Sequence, residues 1–172
     1  MKINSTVLNT ITTIMCCVTL IFSAPSLSRQ WTDIVTKSYV TTEYQKQVDC
    51  LAKNIYYESG TESYEGKLAV AQVTMNRVNS GMFASDVCSV VYQRTDRTCQ
   101  FSWTCMKVSD TRDKYMWEES LLVAKKALTQ PYLHDTIAKS NALYYHAVYV
   151  NPGWKKNKVV TKIGNHIFYA NI

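Results

Sequence analysis

Glycine and proline are scarce in this sequence of 172 residues, five and three respectively. That scarcity, with 47% hydrophobic and 19% charged residues, excludes a collagen-like, low-complexity or disordered chain. Long runs of one charge are missing too. No more than two cationic residues stand together, although 19 Lys and Arg outnumber 13 acids and give a formal charge of +6. Such dispersed charge suits a polyanionic partner and does not form a nucleic-acid-binding motif. The short C-x2-4-C clip of a zinc site is also absent. The nearest approach, Cys99 and Cys105 with His134, His146 or His166, has five residues between its cysteines, so no metal or other cofactor is expected. No repeat or linker follows Ser28, and the remaining residues, about 150, suffice for a single domain.

What is present begins with Lys2 and an uncharged stretch from Val7 to Phe22, diluted by Thr12, Thr13 and Thr19. This reads as the apolar region of a signal peptide, because it falls short of the roughly 20 residues a membrane-spanning helix needs. Ala24 and Ser26 supply small side chains for cleavage, giving an expected mature start between Pro25 and Arg29. The expected organisation is a signal peptide over residues 1–26 (a signal anchor if uncleaved), a polar arm over 27–46 and a folded domain over 47–172. Export to the periplasm or the extracellular space follows, with membrane association only through an uncleaved leader. Cys16 and Cys17 depart with that leader, leaving Cys50, Cys88, Cys99 and Cys105. Four cysteines in an oxidising compartment predict two disulfides, in any of three pairings.

Periodicity sets the fold class. Val48, Leu51 and Ile55 share one face of a helix ending at Ser59-Gly60. A second helix, with Ser59, Thr61 and Ser63 as possible caps, carries Leu68, Ala71, Met75 and Val78 and stops at Asn79-Ser80-Gly81. A third carries Trp117, Leu121, Ala124 and Leu128 and stops before Pro131. Between the last two, Met82 to Arg112 reads as a long irregular stretch. The period then changes: Ala142 to Val150 is rich in Tyr and Val, and Lys158–Ile163 and His166–Ala170 flank the two-residue turn Gly164-Asn165. The prediction is an α+β fold, helices first and a small antiparallel sheet last.

Glu58 falls on the inward stripe of the first helix, three residues after Ile55 and seven after Leu51. It also stands at the helix C-terminus, so burial and the macrodipole both disfavour its ionised form. A carboxyl group with a raised pKa is what a general acid needs near neutral pH. The alternatives are a side chain turned toward solvent at a frayed helix end, or a structural pairing with Lys53 or Lys67. Glu62 and Glu65 are expected in the first turn of the next helix, where acids complement the dipole. Asn76 and Arg77 are read as structural, and His146 and His166 as hydrogen-bonded sheet residues.

Two blocks, Leu51-Ala52-Lys53-Asn54-Ile55-Tyr56-Tyr57-Glu58 and the run from Glu65 to Val78, resemble the cell wall hydrolase family of spore cortex-lytic enzymes. Val87–Gln93, Cys99-Gln100-Phe101-Ser102-Trp103 and Ile163–Tyr169 are similar to later blocks of that family, in a version closer to its Gram-negative bacterial or phage members. The resemblance implies a single lysozyme-like or lytic-transglycosylase-like domain, acting as a monomer on peptidoglycan glycan strands, with Glu58 as catalytic acid. One departure is visible. The family's Glu-Ala-x-Gly-Glu turn reads Glu58-Ser59-Gly60-Thr61-Glu62 here, which moves the glycine by one position.

A single dominant carboxylate suits this chemistry. Ordinary glycosidases need two, about 5 Å apart for retention or about 6.5–9.5 Å for inversion. In a lytic transglycosylase the muramic C6 hydroxyl attacks its own C1 instead, a tethered step of high effective molarity. Gln93, Gln100 and Ser102 are candidate partners for acetamido groups. Tyr57 and Trp103, with Tyr56 and Tyr92, are candidate stacking surfaces for sugars. The alternatives are a hydrolytic muramidase or glucosaminidase, or a noncatalytic peptidoglycan-binding envelope protein.

Overall fold

The computed structural model describes residues 5–109, 112–154 and 157–171, with side chains from Arg29 onward apart from residues 157 and 171. The side chains of the expected leader, Cys16 and Cys17 included, lie outside the described residues. Two compact units are distinguished, residues 1–43 and 44–172. In the first unit the expected arm is helical, part of α1 (Ser5–Ser59), and it exposes Trp31, Ile34, Val35 and Tyr39. Among the described residues, no helix is long and apolar enough to cross a membrane.

The second unit starts its core at Val48 and continues through Leu51, Ala52 and Ile55, all fully buried on α1. Helix α2 (Tyr64–Asn79) is capped by Ser63, whose hydroxyl accepts from the Gly66 N–H at 3.2 Å. Glu62 therefore precedes the helix instead of opening it, a correction to the expected position, and only Glu65 occupies the first turn. Nor is α2 amphipathic in the expected way. Ala71 packs in one apolar cluster with the α1 residues, while Ala69, Val70 and Val73 join Ile137, Ala142, Ile163 and Phe168 in a second. A helix between two clusters is buried on both sides, which leaves the predicted stripe residues Leu68, Met75 and Val78 only half-buried.

The stretch expected to be irregular contains α3 (Val87–Val91) and a short 3-10 helix over Ser102–Cys105. Neither is long enough to display a helical period. Cys50 is bonded to Cys88 and Cys99 to Cys105. The first bridge ties α1 to α3, and the second closes a short loop. It also leaves Cys99 and Cys105 no thiolate to offer a metal. Helix α4 (Lys114–Thr129) is capped by Asp113 and buries Ser120, Val123, Ala124 and Ala127, a face rotated from the predicted one. Helix α5 (Asp135–Lys139) was not legible in the periodicity.

Strands β1 (Tyr144–Ala147), β2 (Asn157–Ile163) and β3 (His166–Asn171) form an antiparallel sheet of order β1-β3-β2. Gly164, at φ +54°, makes the predicted β2–β3 turn. A Cβ there would collide with the carboxylate of Glu62. Polar contacts from α2 hold α5 and the segment leading into β1: the Asn76 amide donates to Ile137 O at 3.1 Å and Ala142 O at 2.9 Å, and Arg77 Nε donates to Leu143 O at 2.7 Å. These bonds give buried backbone carbonyls a side-chain donor.

Candidate active site

Glu58 sits in the last turn of α1, held there by a tight end. Ser59 is buried with its hydroxyl on Ile55 O, and the Gly60 N–H bonds Tyr56 O at 3.1 Å. The displaced glycine does not adopt a positive φ. It is required for closeness, because a Cβ at Gly60 would run into Tyr56 O. The register of the helix thereby directs Glu58 toward β1, where the Tyr145 hydroxyl donates to its Oε2 at 3.3 Å.

Burial raises the Glu58 carboxyl above its ordinary 4.5, opposed by the Tyr145 hydrogen bond and by the charge of Arg77. Tyr145 is pushed well above 10, first by burial and then by the Glu58 charge, so it remains a donor. It packs edge-on against His166, 5.3 Å between rings, and at 5.7 Å from Phe168. The Asn54 side chain acts on Tyr145 in the opposite sense to burial, favouring its ionised form. Asn54 is fully buried, one turn before Glu58; its Oδ1 accepts from Trp103 Nε1 at 3.2 Å and its Nδ2 donates to Thr74 Oγ1 at 3.3 Å. Two polar links thus lie in the apolar surround, Trp103–Asn54–Thr74 and Tyr145–Glu58.

Arg77 faces these links from α2 and is 3% exposed. Its guanidinium carbon lies 5.2 Å from the ring centres of both Phe83 and Phe101, and Gln100 accepts from its two terminal nitrogens at 3.0 and 3.2 Å. The structural role expected for Arg77 holds, and to it is added a positive charge that acts on Glu58. Asn54 and Tyr145 were missed in the sequence. The signal for Asn54 was a polar side chain on the inward face four residues before Glu58.

The competing acids are engaged elsewhere. Glu62 accepts from the Asn165 N–H at 3.2 Å and from its side-chain amide at 2.9 Å, and Glu65 pairs with His134 at 3.3 Å. Lys67 pairs with Glu119, not with Glu58. Among the other candidates, Gln93 and Gln100 share a pocket of about 150 Å³. Tyr57 and Trp103 stack at 4.8 Å and line a separate groove, and Ser102 is exposed and lines neither. Tyr56 is drawn away, its hydroxyl accepting from the Asp113 N–H at 2.9 Å. His146 bonds the Tyr169 hydroxyl at 2.8 Å as expected, whereas His166 departs from expectation: its buried Nδ1 has no hydrogen-bond partner and the ring serves as packing for Tyr145. Among the described residues, no three His, Cys, Asp or Glu side chains gather as a metal site.

Comparison with known proteins agrees with this architecture. A family model described as Cell Wall Hydrolase matches residues 61–169, starting just beyond Glu58. Spore cortex-lytic enzymes of Oceanobacillus iheyensis and Bacillus cereus are 30% and 32% identical over 130 residues, covering 72% of this chain but 41% and 44% of theirs. The chain thus spans less than half the length of these curated relatives. Among solved structures, the catalytic domain of the germination-specific lytic transglycosylase SleB from Bacillus anthracis superposes with a TM-score of 0.56 at 27% identity, over 73% of this chain and 95% of that one. The Bacillus cereus SleB catalytic domain gives 0.53 at 26%, over 73% and 91%. The α+β, lysozyme-like fold is common to all three. By the extent of the family match, this chain belongs to the cell wall hydrolase family.

Proposed function

We propose that this chain cuts peptidoglycan glycan strands between N-acetylmuramic acid and N-acetylglucosamine as a lytic transglycosylase, with Glu58 as general acid and then general base. The observation that carries the reading is the environment of Glu58: a carboxyl raised by burial and addressed by one hydroxyl donor, with Glu62 and Glu65 engaged by other partners. The likeness to the Bacillus anthracis catalytic domain, that of a germination-specific lytic transglycosylase, supports it.

In the first step protonated Glu58 gives its proton to the glycosidic oxygen, and the C1–O bond of the muramic unit breaks. In the second, the C6 hydroxyl of the same sugar bonds to C1 and its proton passes to the Glu58 carboxylate. The acid is regenerated, no water is consumed, and the product is a 1,6-anhydromuramoyl end. Tyr145 serves the intermediate stage, since its hydrogen bond favours the carboxylate that Glu58 becomes after donating. Export to the wall compartment belongs to the same proposal, supported by the two disulfides and by the leader-like sequence from Val7 to Phe22.

The test is mass spectrometry of digested sacculi. Fragments one water lighter than hydrolysis products are expected from the wild-type chain and none from Glu58→Gln. Reducing ends would indicate a muramidase or glucosaminidase, and intact sacculi a binding protein. General acid catalysis alone contributes about 10²- to 10⁴-fold, and loss of both proton transfers should exceed that range.

A further inference from the structure

An open groove of about 210 Å³ lies beside the buried polar link of Trp103 and Asn54. Trp103 belongs to both, since its ring lines the groove while its Nε1–H is bonded to Asn54. Tyr57 stacks on Trp103 at 4.8 Å and Tyr92 meets it edge-on at 5.7 Å, which makes one wall aromatic. Two cations line the same space. Lys53 stands one turn before Tyr57 on α1, and Arg112 lies with its guanidinium carbon 4.4 Å from the centre of the Trp117 ring.

Neither cation has an acidic partner among the described residues. Arg112 Nε is buried without any hydrogen-bond acceptor. Of the described flanking acids, Asp49 accepts from Gln45 at 2.9 Å, and Asp113 accepts from the Met116 N–H at 2.9 Å. Two cations that pair with no acid among the described residues, beside an aromatic wall, match a ligand that is a sugar on one side and an anion on the other.

We propose that this groove is a subsite for a carboxylate-bearing muramyl unit, with the lactyl or peptide carboxylate received by Lys53 and Arg112 and the sugar laid against the aromatic wall. The inference rests on the peptidoglycan reading of the chain and adds the charged part of the substrate to it. Uncharged glycan would then bind more weakly than glycan whose muramyl units carry free carboxylates.

The test uses the full chain carrying Glu58→Gln, which prevents turnover, titrated by NMR. The probes are N-acetylmuramic acid, muramyl dipeptide and the uncharged amide of each. At least one acid should bind about tenfold or more tightly than its amide, the acid that does so identifying which carboxylate is read. Lys53→Gln and Arg112→Gln should each remove about tenfold for that acid and leave its amide unchanged, consistent with a hydrogen bond to a charged group. Arg112→Lys should recover part of the loss, and thermal melting checks that each variant is folded. Equal binding of acids and amides would overturn the proposal, as would variants that weaken both equally. Digestion of sacculi by the wild-type chain is scored separately. Acid-selective binding without cleavage would sink the catalytic reading alone, whereas cleavage without acid selectivity would sink the subsite alone.

Discussion

The Tyr145 hydroxyl and the Glu58 carboxylate meet at 3.3 Å across 87 positions of sequence, one from the first strand of the sheet and the other from the final turn of α1. Their pairing sets two opposing influences on one proton. The surroundings that bury Glu58 hold the proton on, and the hydroxyl favours its release.

Tyr145→Phe removes that release. The carboxyl should rise further, so the alkaline limb of the pH–rate profile moves to higher pH, while kcat falls about ten- to a hundredfold. That range corresponds to the roughly 1.5–3 kcal/mol of a hydrogen bond to a charged group. A pH series on sacculi for both proteins measures the two effects together.

Glu58→Gln should stabilise the fold as it abolishes cleavage. With a folded pKa raised above 4.5, the wild-type carboxyl contributes its full stability below 4.5, where both states are protonated. That contribution is lost as pH rises through the folded value. The variant is therefore expected to melt above wild type at pH 7 and level with it near pH 4. A melting advantage independent of pH would contradict the assignment of buried charge at this position.

Arg77→Met strips a donor from Leu143 O and two from Gln100 in the interior. The expected loss is about 3 kcal/mol, read as a lower urea midpoint. Any residual activity should also persist to higher pH, because the nearby cation no longer lowers Glu58.

The two disulfides should differ in weight. Cys50–Cys88 closes a span of 38 residues and Cys99–Cys105 one of 6. Chain-entropy arguments then assign about 4 kcal/mol to the first and about 2 kcal/mol to the second. Denaturation of the paired Cys→Ala variants measures each, and equal losses would contradict the ranking.

Glu62→Ala should separate structure from chemistry. It releases both bonds to Asn165 and costs about 1 kcal/mol at this solvent-facing turn, yet cleavage should continue. Loss of cleavage in a folded Glu62→Ala protein would bring back a two-carboxylate mechanism.

Glu58 was legible because helical spacing from Leu51 and Ile55 places it inward, and the hairpin was legible because Gly164-Asn165 separates two strand-like runs. Tyr145 was not. In a segment holding Tyr144, Tyr145 and Tyr149, strand alternation does not say which ring meets α1, and that depends on how the sheet docks against α2. Asn54 looked like an ordinary polar helix residue, because its two buried partners, Thr74 and Trp103, come from distant parts of the chain. Glu62 was placed in a helix because Ser59, Thr61 and Ser63 all offer caps, and only the fold selects Ser63. Helices α3 and α5, each five residues, are shorter than the window over which a 3.6-residue period can be recognised.

The buried polar groups around Glu58 also bear on when the proposed acid becomes competent. Asn54, Thr74, Arg77, Trp103 and Tyr145 arrive from α1, α2, the 3-10 turn and β1, so none of the local segments contains the site by itself. A partly folded chain would carry Glu58 on a solvated helix, with a carboxyl that loses its proton in ordinary acid solution and has none to give at neutral pH. Under the proposed mechanism, proton-donating power is thus a property that emerges only on completion of the second unit. On that reading, a chain still folding, misfolded or clipped between α4 and β1 would leave the wall around it uncut.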